Sequence, residues 1–459
     1  MEDASAFDAL TRTSRASLRW RDAAPIAVSA LLLLWPALWN GYPLVFSDTG
    51  AYLSQAVGDY ARWDRPPFYS LAILPLHLTL TTWPVVVAEA LAAAAIVHLL
   101  CGLVPMVRRW YPTGVVAALA VLSPLPFFAS QIMPDVFTGI LVLMIAVPFA
   151  RGRPASWLAL LATAALIAFH LSHIPLAAAL VVALAAALRP GWRFTLRGLL
   201  PVAFAALACI AVNVAGFGRV AIAPYSDVFL LARLIEDGPA MRTLARDCPT
   251  THWRLCSTLA APPETADAFL WDDDSPLALA GGAEDAAAEV TTIVRRTIAA
   301  EPLAMGAEAV RNGLTQLVRI KTGDGLNAWN GVAESIGELF PPNEAKALAE
   351  SRQQTGTLVI PHWLRLLHAA CAAAGVAGCV LVLRARGAFA AVAGATLLAL
   401  AVNAFVTGAL SGPHDRYGAR VAWLPLAVLL AAWPVLRPRP TTIPDAESPH
   451  CGPSAPTSP

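Results

Sequence analysis

The chain is built around apolar runs long enough to cross a hydrocarbon core about 30 Å thick, which takes roughly 17–25 residues of helix, and this sets the class of fold. The first run, 23–39, leads into Trp39-Asn40-Gly41-Tyr42-Pro43. That sequence is no small-residue cleavage site, so the run reads as a retained span rather than a signal peptide. With 57% hydrophobic and 14% charged residues, the chain is too apolar to cover a soluble domain with polar surface. A net charge of +1 leaves no nucleic-acid footprint.

The hydropathy pattern predicts an all-α polytopic membrane protein with about ten transmembrane helices, at 23–39, 83–107, 114–130, 136–150, 157–169, 174–188, 199–217, 362–383, 389–410 and 421–436. Arginine sets the orientation. With the N-terminus inside, Arg12, Arg15, Arg19, Arg21, Arg108, Arg109, Arg151, Arg153, Arg189, Arg193, Arg197, Arg384, Arg386, Arg437 and Arg439 are all cytoplasmic. The opposite short loops hold only Arg62, Arg65, Arg416 and Arg420, so strict alternation satisfies the positive-inside rule at every turn. The expected organisation is a cytoplasmic segment (1–22), a membrane domain of seven spans (23–217), an extracytoplasmic domain (218–361), three further spans (362–436) and a disordered cytoplasmic tail rich in Pro and Ser (437–459). This organisation places the protein in a membrane with an oxidising compartment outside, such as a bacterial inner membrane, with both termini cytoplasmic.

Apolar residues at helical spacing, Val290, Ile293, Val294, Ile298 and then Val310, Leu314, Leu317, Val318, predict that the inserted domain is a mostly helical cap. Cys248 and Cys256 fall in it as candidates for a disulfide closing a short loop. Cys101, Cys209, Cys371 and Cys379 lie in spans and read as small apolar residues. Asp272-Asp273-Asp274 lacks the alternating ligand spacing of a calcium loop and reads as a solvated turn.

This topology sends five polar features to the outer face. They are Asp48, Arg65, Asp135, the pair His170 and His173, and His414-Asp415-Arg416. Ionisable groups beside hydrocarbon are costly and mark functional positions by default. Each also has a structural reading. Asp48 and Asp135 precede apolar helical runs, where a carboxylate caps free backbone N–H groups. His170 and His173 share a helical face at a spacing compatible with metal ligation or with interfacial hydrogen bonding. The Asp48-Thr49-Gly50 triplet has no second copy, which removes an aspartic-protease dyad.

Asp48-Thr49-Gly50-Ala51-Tyr52 followed by Arg65-Pro66-Pro67-Phe68-Tyr69-Ser70-Leu71 resembles the first extracytoplasmic loop of GT-C superfamily membrane glycosyltransferases, such as the protein mannosyltransferases and lipid A aminoarabinose transferases. The shared pattern is an Asp-containing helix start, an aromatic four residues on, a basic residue, two prolines and an aromatic-rich approach to the second span. Met133-Pro134-Asp135-Val136 resembles the later acidic motif of those enzymes. The likeness covers roughly the first 150 residues. Thr49 stands where many relatives have Glu and Arg65 where Lys is common, and the soluble domain precedes the last three spans instead of ending the chain.

The resemblance implies transfer of a sugar from a polyprenyl-phosphate donor to a lipid, glycan or protein acceptor outside the cytoplasm. Asp48 would take the acceptor proton, helped by Asp135, which orients the acceptor or shares a divalent metal cation with Asp48. Arg65 and Arg416 would hold the departing phosphate. Tyr52, Tyr69, His170, His173, His414 and Asp415 are expected to line the substrate pocket. Competing expectations are an O-antigen ligase or polymerase using Arg and His of 218–361, a membrane acyltransferase with His170 or His173 as base, and a lipid or glycan transporter, which would show repeated halves that are not evident here.

Overall fold

A computed structural model describes residues 20–58, 61–104, 107–384 and 387–436. Arg12, Arg15, Arg19, Arg386, Arg437, Arg439 and the proposed tail lie outside them. The described chain is helical throughout, its one β-bridge pairing Leu44 with Gln131.

Five helical segments are long and apolar enough to cross a membrane: Trp83–Cys101, Trp192–Phe217, His362–Arg384, Ala388–Leu410 and Asp415–Leu436. The protein is therefore an integral membrane protein. The other expected spans are helices of 10–17 residues, among them Ala23–Leu33, Tyr111–Leu122, Val136–Arg151, Trp157–Ala168 and His173–Leu188. Proline accounts for much of the shortening, because it lacks an N–H and forces the preceding residue out of the helical region. The first run breaks at Leu34, before Trp35-Pro36, into Ala23–Leu33 and Trp35–Asn40. The third run breaks at Ser123-Pro124 into Tyr111–Leu122 and Leu125–Ala129. The last pauses at Trp423, two residues before Pro425, between Asp415–Ala422 and Leu424–Leu436. Phe68–His77, which hydropathy merges with the approach to Trp83, is a helix of its own.

Helix packing follows small residues that let backbones approach. A side chain at Gly139 would collide with the fully buried Trp423, and one at Gly375 with the Leu426 backbone. The segment 218–361 divides between two cores. Helices Ser226–Glu236, Pro239–Asp247, Ala266–Trp271 and Gly282–Ala300 bury their own core around Leu231, Leu244, Phe269, Val290 and Ile293. Cys248 and Cys256 form a disulfide on its edge. Helices Asn330–Leu339 and Pro342–Ala349 instead place Val332, Ile336, Phe340 and Leu348 in the membrane-helix core.

That second half is also stapled to the loop after the first helices. Asn40 Oδ1 accepts from the Gln353 backbone N–H at 2.7 Å, and the Gln353 amide both accepts from Val45 N–H at 3.0 Å and donates to Val45 C=O at 2.7 Å. Buried Glu344 accepts from the Tyr42 hydroxyl at 2.9 Å and from Thr82 N–H at 3.2 Å. The segment leading to Asp48 is thus fixed on both sides.

Candidate functional site

Two strand-like segments bring the carboxylates together. Leu44 N–H donates to Ser130 C=O at 2.8 Å and Ile132 N–H to Leu44 C=O at 2.9 Å, so the approaches to Asp48 and Asp135 run side by side. Thr49 completes the junction, its hydroxyl donating to Ile132 C=O at 3.1 Å while accepting from Phe46 N–H at 2.9 Å.

Both carboxylates sit at helix N-caps, Asp48 before Thr49–Gln55 and Asp135 before Val136–Arg151, yet neither side chain makes a capping hydrogen bond. They face guanidinium groups instead. Asp48 Oδ1 accepts from Arg65 Nη2 at 3.0 Å, and Asp48 Oδ2 lies 3.8 Å from Arg416 Nη1. Asp48 is 30% exposed while Arg65 and Arg416 are 11% and 9% exposed, so the pair opens outward at the carboxylate. The Arg65 guanidinium is further held by Asp64 at 2.6 Å and lies 4.9 Å from the Tyr52 ring centre. Burial works against the Arg65 charge, but Asp48, Tyr52 and Asp64 outweigh it and raise its pKa. Burial likewise pushes the Asp64 carboxyl up, but Arg65 and Arg62 overcome it and hold it below the ordinary carboxylate range.

Asp135 is buried and accepts from Arg420 Nη1 at 3.1 Å. Arg420 is itself fully buried and saturated, donating to Asn403 Oδ1 at 2.8 Å and to Ser172 Oγ at 3.2 Å. It is a strut, fixing Asp135 between three helices. Among the described residues, Asp135 Oδ2 and Arg416 Nη1 have no hydrogen-bond partner although both are buried. Unmet groups of this kind are costly in a finished core, and these two lie at one cluster. Tyr52 feels the charges of Asp48, Asp135, Arg65 and Arg416 together, so the four groups form one electrostatic neighbourhood.

The remaining expected residues divide. The His170 Nδ1 accepts from Ser172 N–H at 3.2 Å, leaving Nε2 to carry the proton of the neutral ring. Burial, then Arg420, His173, Arg416 and Arg65, push its pKa down, which places His170 beside the same cluster. His173 is committed at both nitrogens, Nδ1 donating to Leu166 C=O at 2.7 Å and Nε2 accepting from Thr138 Oγ1 at 2.9 Å. It is a helix cross-link and has no nitrogen left for a metal or for catalysis. Tyr69 is fully buried, packed edge-on against Tyr52. The His414 backbone exchanges two hydrogen bonds with the Gln316 side chain, and Asp415 accepts from Lys321 N–H at 3.0 Å, so both anchor the loop that presents Arg416. Among the described residues no three His, Cys, Asp or Glu side chains converge as metal ligands. Asp48 and Asp135 are already faced by guanidinium groups, a donor set suited to an anion and unsuited to a divalent cation.

Glu89, Arg420 and Asp64 are the site residues that motif reading passes over. Glu89 lies within the Trp83–Cys101 span and accepts from the Tyr69 hydroxyl at 2.6 Å. A carboxylate in an apolar span was itself the signal. Arg420 stands one helical turn after Arg416 on Asp415–Ala422, which puts both on the same face. Comparisons with family models, curated proteins and solved structures find no match to this chain.

Proposed function

We propose that the protein is a membrane glycosyltransferase that moves a sugar from a polyprenyl-phosphate donor to an acceptor hydroxyl or amine at the outer face of the membrane. One observation carries the reading: a partly exposed carboxylate, Asp48, stands between two guanidinium groups, the half-buried Arg65 and the buried Arg416, with Arg416 Nη1 and the nearby Asp135 Oδ2 lacking hydrogen-bond partners among the described residues. The resemblance of 48–71 and 133–136 to GT-C enzymes supports the same assignment. The full proposal has ten crossings, with the shorter helices completed by their broken partners or by local thinning of the bilayer, both termini cytoplasmic, and the site facing the periplasm of a bacterial inner membrane.

The chemistry follows from charge balance. Three carboxylates, Asp48, Asp64 and Asp135, face four guanidinium groups, Arg62, Arg65, Arg416 and Arg420, so the cluster carries one excess positive charge. A donor phosphodiester brings one negative charge, which Arg65 and Arg416 take up. As the acceptor oxygen or nitrogen attacks the anomeric carbon, its proton passes to Asp48 and the bond from that carbon to the phosphate oxygen breaks. The leaving phosphate gains one negative charge while Asp48 loses one. Both guanidinium groups are then freed from Asp48 to hold the phosphate as its charge grows, stabilisation that strengthens along the reaction coordinate. Asp135, held rigid by Arg420, presents Oδ2 to a hydroxyl or amine of the reacting sugar or acceptor.

General-base catalysis contributes about 10²–10⁴ in rate. Asp48→Asn therefore loses at least about 10²-fold of transfer from lipid-linked donor in membranes, at unchanged expression. Undiminished transfer by that variant refutes the assignment. Activity abolished only by Arg or His substitutions within 218–361 favours the ligase reading instead.

A further inference from the structure

The helix Pro302–Val318 buries Asn312, Gly313 and Gln316 and packs along the membrane-spanning Ala388–Leu410. The contact is backbone-close, since a side chain at Gly408 would strike the Asn312 carbonyl and one at Gly313 the Phe405 ring. Met305 packs against the core of the preceding helices, and a set of larger apolar residues faces outward. Leu303 is 88% exposed, Val310 51%, Leu314 54%, Leu317 40% and Val318 78%. Val310, Leu314, Leu317 and Val318 are the stripe that the sequence pattern assigned to packing within the cap. The positions 303, 310, 314 and 317 recur at seven, four and three residues, the spacing of one continuous helical face.

The stripe has a specific continuation. Phe405 and Leu410 on the adjoining spanning helix are also exposed, and Phe405 rests on Gly313, so the apolar surface runs unbroken from a membrane-crossing helix onto this one. Cationic groups border it: Arg311 is 76% exposed and Arg319 50%, with Lys321 exposed just beyond the helix end. At 17 residues, with Glu308 and Arg311 near its middle, the helix is too short and too polar to cross the bilayer. An apolar face, a flanking basic set and continuity with a lipid-facing helix are the signature of a helix lying at the lipid interface.

We infer that Pro302–Val318 is an interfacial helix whose Leu303–Val310–Leu314–Leu317–Val318 face contacts the acyl region, with Arg311, Arg319 and Lys321 reaching anionic headgroups. The helix tethers the inserted segment to the bilayer and fixes the height of the loop that follows it, from which Lys321 and Asp324 bond Asp415 and the Arg416 backbone. This holds whether or not the chain transfers sugars.

The test is site-directed spin labelling of the full chain in nanodiscs of phosphatidylcholine and phosphatidylglycerol. Cys101, Cys209, Cys371, Cys379 and Cys451 are replaced by Ala, and labels are attached through Val310→Cys, Leu314→Cys, Val318→Cys and, as a control, Arg311→Cys. Oxygen is expected to relax the labels at 310, 314 and 318 more strongly than a water-soluble nickel chelate, with the preference reduced at 311. Preference for the nickel chelate at all four positions overturns the inference, because the stripe then faces water. Exclusion of both reagents overturns it as well, because a protein surface then covers the stripe. If the substituted background fails to fold, a photoreactive amino acid at Leu314 in the otherwise native chain gives a second readout. A crosslink to phospholipid supports the inference, and a crosslink to protein alone contradicts it.

Discussion

At the scale of single residues, the site depends on side chains whose partners are fixed by the fold. Asp64 anchors Arg65 and Arg62 from a buried position. Its folded pKa is depressed, so its contribution to stability is complete above the ordinary carboxylate value of about 3.9 and is lost as pH falls through the lower folded value. Asp64→Asn should therefore lower the melting temperature at neutral pH, by less than the roughly 3–5 kcal/mol of a buried charge left unpaired because Arg65 keeps Asp48, and should flatten the acid limb of the melting profile. An acid limb identical to that of the unaltered protein argues against this role. Glu89 acts at a distance: it holds the Tyr69 hydroxyl, Tyr69 packs edge-on against Tyr52 at 4.9 Å, and Tyr52 lies beside the Arg65 guanidinium. Glu89→Leu is expected to raise KM for the lipid-linked donor about tenfold with little change in kcat, as for loss of about 1.4 kcal/mol of binding. Glu89→Gln keeps an acceptor for Tyr69 and should stay near the original KM. Equal behaviour of the two variants contradicts the positioning role. Asp48, Arg65, Asp135 and Arg416 were legible in the sequence because charge beside hydrocarbon is conspicuous. The roles of His173, Tyr69 and Asp415 were not, because the side-chain type does not reveal which partner has already claimed it.

At the scale of elements, hydropathy located the five helices long enough to cross a membrane and most of the shorter apolar helices, but not the breaks within the runs. Pro36, Pro124 and Pro425 interrupt runs that a sliding apolar count joins, since a count is blind to a missing N–H. The helix Thr49–Gln55 was visible only as a motif, and its position comes from Gly50. A side chain there would approach Ser335 Oγ to 2.7 Å and the Gly331 carbonyl to 3.1 Å. Gly50 thus sets how closely the Asp48 helix sits on Asn330–Leu339, a contact across nearly three hundred residues that local sequence does not encode. Gly50→Val is expected to cost about 1–3 kcal/mol through overpacking and to shift Asp48 away from Arg416, lowering both the melting temperature and donor affinity. Full retention of both would show that the two helices adjust independently of the site.

At the scale of the whole molecule, the inserted segment is no detached cap. Half of it forms its own helical core, and the other half completes the membrane-helix core and bonds the Asn40–Val45 loop. A change in polarity suggests where this segment begins and ends, while its division between two cores stays hidden because both halves carry the same helical periodicity. The consequence is that the cluster is built from four distant stretches: 42–69, 130–138, 170–173 and 403–420, with 316–353 holding them in place. The proposed function assigns this convergence to a phosphate, which Arg65 and Arg416 would hold. The most direct measurement is binding of a polyprenyl phosphate to the purified protein in nanodiscs. Arg65→Ala and Arg416→Ala are each expected to weaken it by about tenfold or more, the loss that follows from removing one charge-assisted hydrogen bond worth about 1.5–3 kcal/mol. Binding of equal strength in both variants and the unaltered protein would contradict the central claim that these guanidinium groups form the phosphate site.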